Sequence, residues 1–373
     1  MQTLASDLEF PTNLAFAPDE RIFFTEKNTG RVRIIEDGRL LSTPFVTVSL
    51  RKQRWYETGL LGLALHPSFP SEPWVYLYYS SPDRNLLVRV RAEGNEGTDV
   101  ETILRGLPVS QFHVGGDMAF GPDGLLYVAV GDSTERGLAQ DPGSIGGKIL
   151  RLRPDGSLPP DNPIGPDSPV YSMGHRNSFG LCFDPETGNL WETENGPTAH
   201  DEVNLIEAGG NYGWPIVLGP GGEPPFIDPV LDFPGIIIPT GCAFYGAPSL
   251  GRRSEGALFF GTLRGILHRA MLSPDRRGVR ANHRFLTGLP GITDVQMGPD
   301  GRLYLATVES ILRLPRKVPK QPPQAPSADE HQSTPPMASG ATRSGERFPV
   351  SWIVGGAAAL AAVALAWRAR RKG

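Results

Sequence analysis

The stretch Met118-Ala-Phe-Gly-Pro-Asp-Gly-Leu-Leu-Tyr-Val-Ala-Val-Gly-Asp132 decides the fold. A short apolar run meets a Pro-Asp-Gly turn, and a second run of β-branched and aromatic residues follows. Proline presets φ for the turn, aspartate bonds the local backbone, and glycine takes the positive φ. The pattern recurs, complete or degraded, to give six copies in the first 315 residues. Before it come Leu14-Ala-Phe-Ala-Pro-Asp-Glu-Arg-Ile-Phe-Phe-Thr25, and Leu61-Gly-Leu-Ala-Leu-His-Pro67 with Trp74-Val-Tyr-Leu-Tyr-Tyr79. After it come Gly180–Phe183 and Asn189–Thr193 around Asp184-Pro-Glu-Thr-Gly188, then Cys242-Ala-Phe-Tyr245 with Ala257-Leu-Phe-Phe-Gly261. Val295-Gln-Met-Gly-Pro-Asp-Gly-Arg-Leu-Tyr-Leu-Ala-Thr307 completes the set. Repeats of about 50 residues built from several short strands mark a β-propeller with one repeat per blade. The expectation is an all-β, six-bladed propeller over residues 1–315, with Thr3–Phe10 adding a strand to the last blade and closing the ring. Helical periodicity is weak, and Asp201–Ala208 reads as a short helical turn or another strand.

Composition agrees. The chain has 373 residues with 45 Gly and 37 Pro, which suits many tight turns in one large closed β architecture. Its net charge is −4, and Arg368, Arg370, Arg371 and Lys372 leave the remainder near −8, which argues against nucleic acid as the partner. The two cysteines, Cys182 and Cys242, each lie in an apolar run and read as buried small apolar residues, with a disulfide between them left open. No Cys/His spacing suggests zinc.

The C-terminal region changes character. Residues 316–347 shift to Pro, Gln, Ser, Ala and Thr, too poor in large apolar groups to offset ordering entropy, and read as a disordered linker. Residues 348–367, FPVSWIVGGAAALAAVALAW, form an uncharged run of bilayer-spanning length with Trp352 and Trp367 near its ends. The basic tail 368–373 follows, which the positive-inside rule places in the cytoplasm. A C-terminal transmembrane helix with the propeller outside the membrane is therefore expected. That arrangement needs an export signal, and Met1-Gln-Thr-Leu-Ala-Ser-Asp has neither a basic n-region nor an apolar h-region.

In a propeller the first strand of each blade lines the channel, and loops at one rim converge on a ligand. Glu57, His113, Asp132, Arg176, Asn177 and Arg264 all fall at such strand ends. His113 is the natural general base, with Asp132 available to hold its other ring nitrogen. His66, His200, His268, His283 and His331 show no partner pattern and read as structural or solvent-facing.

Four strings in order then carry a resemblance. They are Gly59-Leu-Leu-Gly-Leu-Ala-Leu-His-Pro67, His113-Val-Gly-Gly-Asp117 running into the opening stretch, Gly174-His-Arg-Asn177, and Asp201-Glu-Val-Asn-Leu-Ile206 with Gly209-Gly-Asn-Tyr-Gly-Trp-Pro215. Together they resemble the glucose/sorbosone dehydrogenase family, soluble quinoproteins with a six-bladed propeller that bind pyrroloquinoline quinone (PQQ) and Ca²⁺ at the top of the channel. The resemblance implies His113 as general base for the sugar's anomeric hydroxyl, Asp132 as its orienter, and Arg176 over the quinone carbonyl. It implies cofactor contacts from Glu57, His113, Arg176, Asn177 and Arg264. Gly196 and Pro197 would offer calcium-ligating carbonyls, and Glu202 and Tyr212 would contribute to a second, structural calcium; apart from the resemblance, Asp201-Glu202 reads equally as a solvated turn. An aldose substrate and an electron acceptor in or near the membrane follow as partners.

The sequence departs from the family pattern at three places. Glu57 stands where a glutamine is usual, and Arg264 where a lysine is usual. Gly291 and Thr293 replace two arginines that hold the quinone carboxylates, with Arg280 or Arg284 as possible compensation. Two competing readings remain: a non-catalytic carbohydrate- or protein-binding propeller that has lost quinone binding, and a calcium-dependent lactonase using Glu57, Asp132 and Asn177.

Overall fold

A computed structural model describes residues 1–51 and 56–316. The expected linker, transmembrane helix and basic tail lie outside the described residues. Within them the strands form six antiparallel sheets, each one blade. Blade 1 is Pro11–Phe16, Ile22–Glu26, Arg31–Glu36 and Arg39–Leu40, with Val46–Thr47 beside its third strand. Blade 2 runs Leu60–Leu65, Trp74–Ser80, Asn85–Glu93 and Glu96–Leu107, and blade 3 runs Gly115–Phe120, Leu126–Val130, Lys148–Leu152 and Val170–Met173. Blade 4 is Ser178–Phe183, Leu190–Glu194, Asp201–Ile206 and Leu231–Phe233. Blade 5 is Pro239–Tyr245, Ala257–Thr262, Leu267–Leu272 and Val279–Leu286. Blade 6 takes Ile292–Met297, Leu303–Thr307 and Ile311–Arg313, and its fourth strand is Gln2–Ala5.

That last pairing closes the ring. Gln2 and Thr3 pair with Arg313 and Leu312, so the two ends of the propeller share one sheet. The closing strand is shorter than Thr3–Phe10 because Asp7 and Phe10 adopt positive φ and turn the chain into blade 1. Asp201–Ile206 is a strand, since Glu202–Ile206 pair with Leu190–Glu194 and Asp201–Val203 with Leu231–Phe233, and an isolated helical turn could not satisfy those backbone groups.

Second strands read as almost continuous apolar runs because both of their faces are covered by neighbouring blades. Ile22–Glu26, Leu126–Val130, Ala257–Thr262 and Leu303–Thr307 are buried at every position. One apolar cluster fills each blade interface. Phe23, Ile34, Leu63 and Val75 pack between blades 1 and 2, and Leu258, Phe260, Trp191 and Cys242 between blades 4 and 5. Cys182 and Cys242 are joined in a disulfide across that second interface, which corrects their reading as independent apolar residues. First strands of adjacent blades sit side by side, and this proximity, invisible at a sequence separation of 60, brings the thiols together.

The channel-side polar groups of the first strands form inter-blade hydrogen bonds. Thr12 Oγ1 donates to Leu60 O, and Thr240 Oγ1 to Ile292 O, both at 3.0 Å. Asn13 Nδ2 donates to Asp117 at 2.9 Å, Leu181 N to Asp117 at 2.6 Å, and Leu14 N to Asp294 at 2.8 Å. Burial pushes Asp117 up to about 6. Burial, with the charge of Asp117 nearby, pushes Asp294 up to about 8. Between the unfolded carboxylate pKa near 4 and these raised values, the folded state binds more protons, so stability falls as pH rises. The thermal midpoint is expected to drop between pH 5 and pH 8. Asp294→Asn should flatten the upper part of that slope whatever its absolute stability; an unchanged slope in a calorimetric pH series counts against the assignment.

Candidate active site

In an antiparallel blade the first strand begins and the second ends at the same rim. Glu57, His113 and Arg176 each precede a first strand, while Lys27, Asp132 and Gly196 each follow a second. The topology therefore gathers residues from four blades at one mouth of the channel.

His113 is the centre. Its Nδ1 lies 2.7 Å from Asp132 Oδ1, and Arg176 Nη2 donates to Nε2 at 2.7 Å. The arginine donor requires a lone pair on Nε2, so the proton sits on Nδ1 and points at Asp132, the tautomer of a general base. Asp132 is fully buried and also accepts from Thr134 N at 2.8 Å and Trp214 Nε1 at 2.8 Å. The backbone of His113 adopts φ +54°, uncommon for a side chain with a Cβ. Two contacts hold it there. Glu57 Oε2 accepts from His113 N at 2.6 Å, and Gly131 lies so close that a Cβ on it would stand 2.0 Å from His113 O.

Arg176 is buried at 4% exposure. Its Nη1 donates to Asn195 O at 2.7 Å and Gly196 O at 3.0 Å, and its guanidinium stacks on Trp214 at 5.4 Å. Burial pulls the guanidinium pKa down, and Asp132, Glu57, Glu194 and Asp201 act against that pull. Asn177 bridges three blades, donating to Glu57 at 3.0 Å and accepting from Gly115 N at 3.3 Å.

Behind Arg176 lies a cluster that sequence reasoning passed over. His175 Nδ1 lies 3.1 Å from Glu194 and 3.3 Å from Glu192, and Nε2 lies 2.8 Å from Ser172 Oγ. Glu194 also accepts from Arg176 N at 2.5 Å. Burial alone would pull the imidazole down, but Glu192 and Glu194 push it up to about 10, so it is a buried cation. Tyr212 stacks on His175 at 4.8 Å, with its hydroxyl donating to Leu205 O, and burial with the charge of Glu194 raises Glu202 well above the carboxylate range. The candidate ligands Glu202 and Tyr212 thus flank His175, Glu192 and Glu194, three groups whose ligand atoms lie within 4.8 Å of one another.

The solvated-turn reading of Asp201-Glu202 is corrected. Asp201 is buried and accepts from Gly196 N, Ile237 N and Ile238 N at 2.7–2.8 Å, which fixes the Gly196-Pro197 turn. Arg264 is exposed, as are Arg280 and Arg284 on the outermost strand of blade 5. A Cβ at Gly291 would meet Leu263 O at 2.7 Å, so that position has no room for a side chain. Of the other described histidines, His200 pairs with Asp232, His66 stacks on Tyr76 and His268 meets Asn282; none reaches His113. Trp214 was in plain sight in the Gly209–Pro215 string, but nothing local says that its indole holds a carboxylate 82 residues away.

Such a rim, a half-buried histidine on a fully buried aspartate and facing a guanidinium on a six-bladed propeller, defines a channel-mouth site suited to acid–base chemistry on a small molecule. Residues 8–315 match the Glucose / Sorbosone dehydrogenase family, and the chain belongs to that family of oxidoreductases. Aldose sugar dehydrogenase YliI of Escherichia coli is 30% identical over 339 residues, 83% of this chain and 90% of that protein. Quinoprotein glucose dehydrogenase B of Acinetobacter calcoaceticus is 36% identical over 253 residues, 58% of this chain and 52% of that protein. The PQQ-bound form of aldose sugar dehydrogenase from Streptomyces coelicolor has the same fold, with a TM-score of 0.76, 34% identity, and coverage of 84% of this chain and 96% of that one.

Because Gly131 abuts the His113 carbonyl, Gly131→Ala should displace the His113 loop without unfolding the propeller. The expected sign is loss of the low-field proton resonance of the His113–Asp132 hydrogen bond with an unchanged far-ultraviolet spectrum. Retention of that resonance would show that the close approach is not needed.

Proposed function

We propose that the chain oxidises aldose sugars at C1 to the lactone, using PQQ and Ca²⁺ bound at the channel mouth. The observation that carries this reading is His113 held between Asp132 Oδ1 and Arg176 Nη2, each 2.7 Å from one ring nitrogen. When bound, the quinone supplies a two-electron acceptor for the hydride leaving C1. His113 Nε2 takes the anomeric hydroxyl proton, and the sugar hydroxyl replaces Arg176 Nη2 as its partner. Asp132 stabilises the imidazolium that results, while Trp214 and Thr134 N keep the carboxylate oriented. Arg176 places a fixed cation where negative charge develops. The residues fit a planar polar cofactor in one further respect: Arg176 Nε, Asn195 Oδ1 and Thr293 Oγ1 are buried at this rim without a protein partner. The Gly196 and Pro197 carbonyls would ligate the quinone-bound calcium, a hard ion suited to oxygen. Glu202 and Tyr212 would serve a structural calcium beside His175. Cofactor contacts would come from Glu57, Asn177 and the exposed Arg264.

Gly291 and Thr293, in place of two arginines, favour a second reading, a non-catalytic propeller that binds carbohydrate or protein and has lost quinone binding. We further infer an extracytoplasmic propeller held to the membrane by residues 348–367 and passing electrons to an acceptor there. The Cys182–Cys242 disulfide supports an oxidising compartment.

The test is dye reduction by the purified protein with PQQ, Ca²⁺ and a panel of aldoses. Turnover is expected, and His113→Ala should lower kcat by about 10²-fold or more with folding intact, the usual contribution of a positioned base. No turnover on any aldose together with no retained PQQ would favour the second reading, and His113→Ala as active as the parent would remove the assigned base. Chelation followed by Ca²⁺ or Mg²⁺ restoration should return activity with Ca²⁺ alone; full activity in the chelated protein would remove calcium from the site.

A further inference from the structure

Lys27 follows the second strand of blade 1 at the same rim and is only 7% exposed. Its stem lies against the entry to blade 2, where a Cβ on Gly59 would meet Lys27 Cγ at 2.6 Å. Its ammonium stands 5.0 Å over the Phe10 ring and donates to Asn28 Oδ1 at 3.3 Å. Among the described residues no carboxylate forms an ion pair with it. Glu57 acts on it through space, but the Glu57 oxygen Oε2 is engaged by His113 N, Val114 N and Asn177 Nδ2. Burial pulls the amine down to about 8, so it is held ready as a cation with little to neutralise it. A buried ammonium with one neutral acceptor is costly unless an anion completes it.

Phe10, beneath that ammonium, packs with Ile238, Leu263 and Val308 from blades 5 and 6. Lys27 therefore faces the side of the mouth where Gly291 has no space for a side chain and Thr293 leaves its hydroxyl unpaired. Arg176 stands across the channel, three blades away. Arg280 and Arg284 lie exposed on the outermost strand of blade 5.

We propose that Lys27 is the cation that receives a carboxylate of the bound quinone, an inference that rests on the quinone reading given above. PQQ is a tricarboxylic acid, so a cation opposite Arg176 engages its acidic end while Arg176 and His113 face the reacting end.

The experiment measures binding to the cofactor-free protein by tryptophan quenching in Ca²⁺. Wild type, Lys27→Met and Lys27→Arg are each titrated with PQQ and with its trimethyl ester, which lacks the carboxylate charges. Lys27→Met should weaken PQQ binding by about 10- to 100-fold, the worth of one charged hydrogen bond, with Lys27→Arg recovering most of it. Toward the ester, wild type and Lys27→Met should bind alike. Equal PQQ affinity of wild type and Lys27→Met, or equal losses toward both compounds, makes Lys27 a packing residue and overturns the inference alone. Wild type that binds neither compound overturns the quinone reading and this inference with it. Thermal midpoints accompany each titration, and Lys27→Gln replaces the Met variant if that one does not fold.

Discussion

The channel mouth depends on one buried carboxylate oxygen. Glu57 Oε2 receives His113 N, Val114 N and Asn177 Nδ2, and so ties the entry of blade 2 to those of blades 3 and 4. Hydrogen bonds to a charged acceptor are worth about 1.5–3 kcal/mol each. That is enough to keep His113 in the positive-φ conformation that aims its ring at Asp132. All three donors converge on the one oxygen, so the geometry rests on its placement at the entry to blade 2.

A second layer holds the first. Asp201 fixes the Gly196-Pro197 turn through three backbone donors, and Glu194 fixes the start of Arg176 while sharing the His175 cation with Glu192. The carbonyls of Asn195 and Gly196 then set the guanidinium. Glu57, His113, Arg176 and Asn177 are thus each bonded to a group from at least one other blade. Rigid placement of this kind is what base catalysis and charge stabilisation need, since neither tolerates a side chain that must first be ordered.

Closure of the ring is what allows these contacts to exist. Gln2–Ala5 completes blade 6, and the Cys182–Cys242 bond spans blades 4 and 5. Along the channel, Asp117 and Asp294 take backbone donors from the blades beside them. Those two carboxylates are buried side by side at a cost in stability that depends on pH, and the six apolar interfaces between blades offset it.

Much was legible in the sequence for a local reason. A Pro-Asp-Gly turn and the strands beside it are set by near neighbours, so blade number, ring closure and the strand ends bearing His113, Asp132, Arg176 and Asn177 could be read directly. The exact strand limits, such as Ser178–Phe183 in place of Gly180–Phe183, depend on pairing and could not. Tertiary structure alone decided which distant groups meet: Cys182 with Cys242, Trp214 with Asp132, Glu57 with the backbone of His113, and Leu14 N with Asp294. Those contacts join residues tens to hundreds of positions apart across blade boundaries. Only a closed ring, by setting the first strands side by side, gives them a distance.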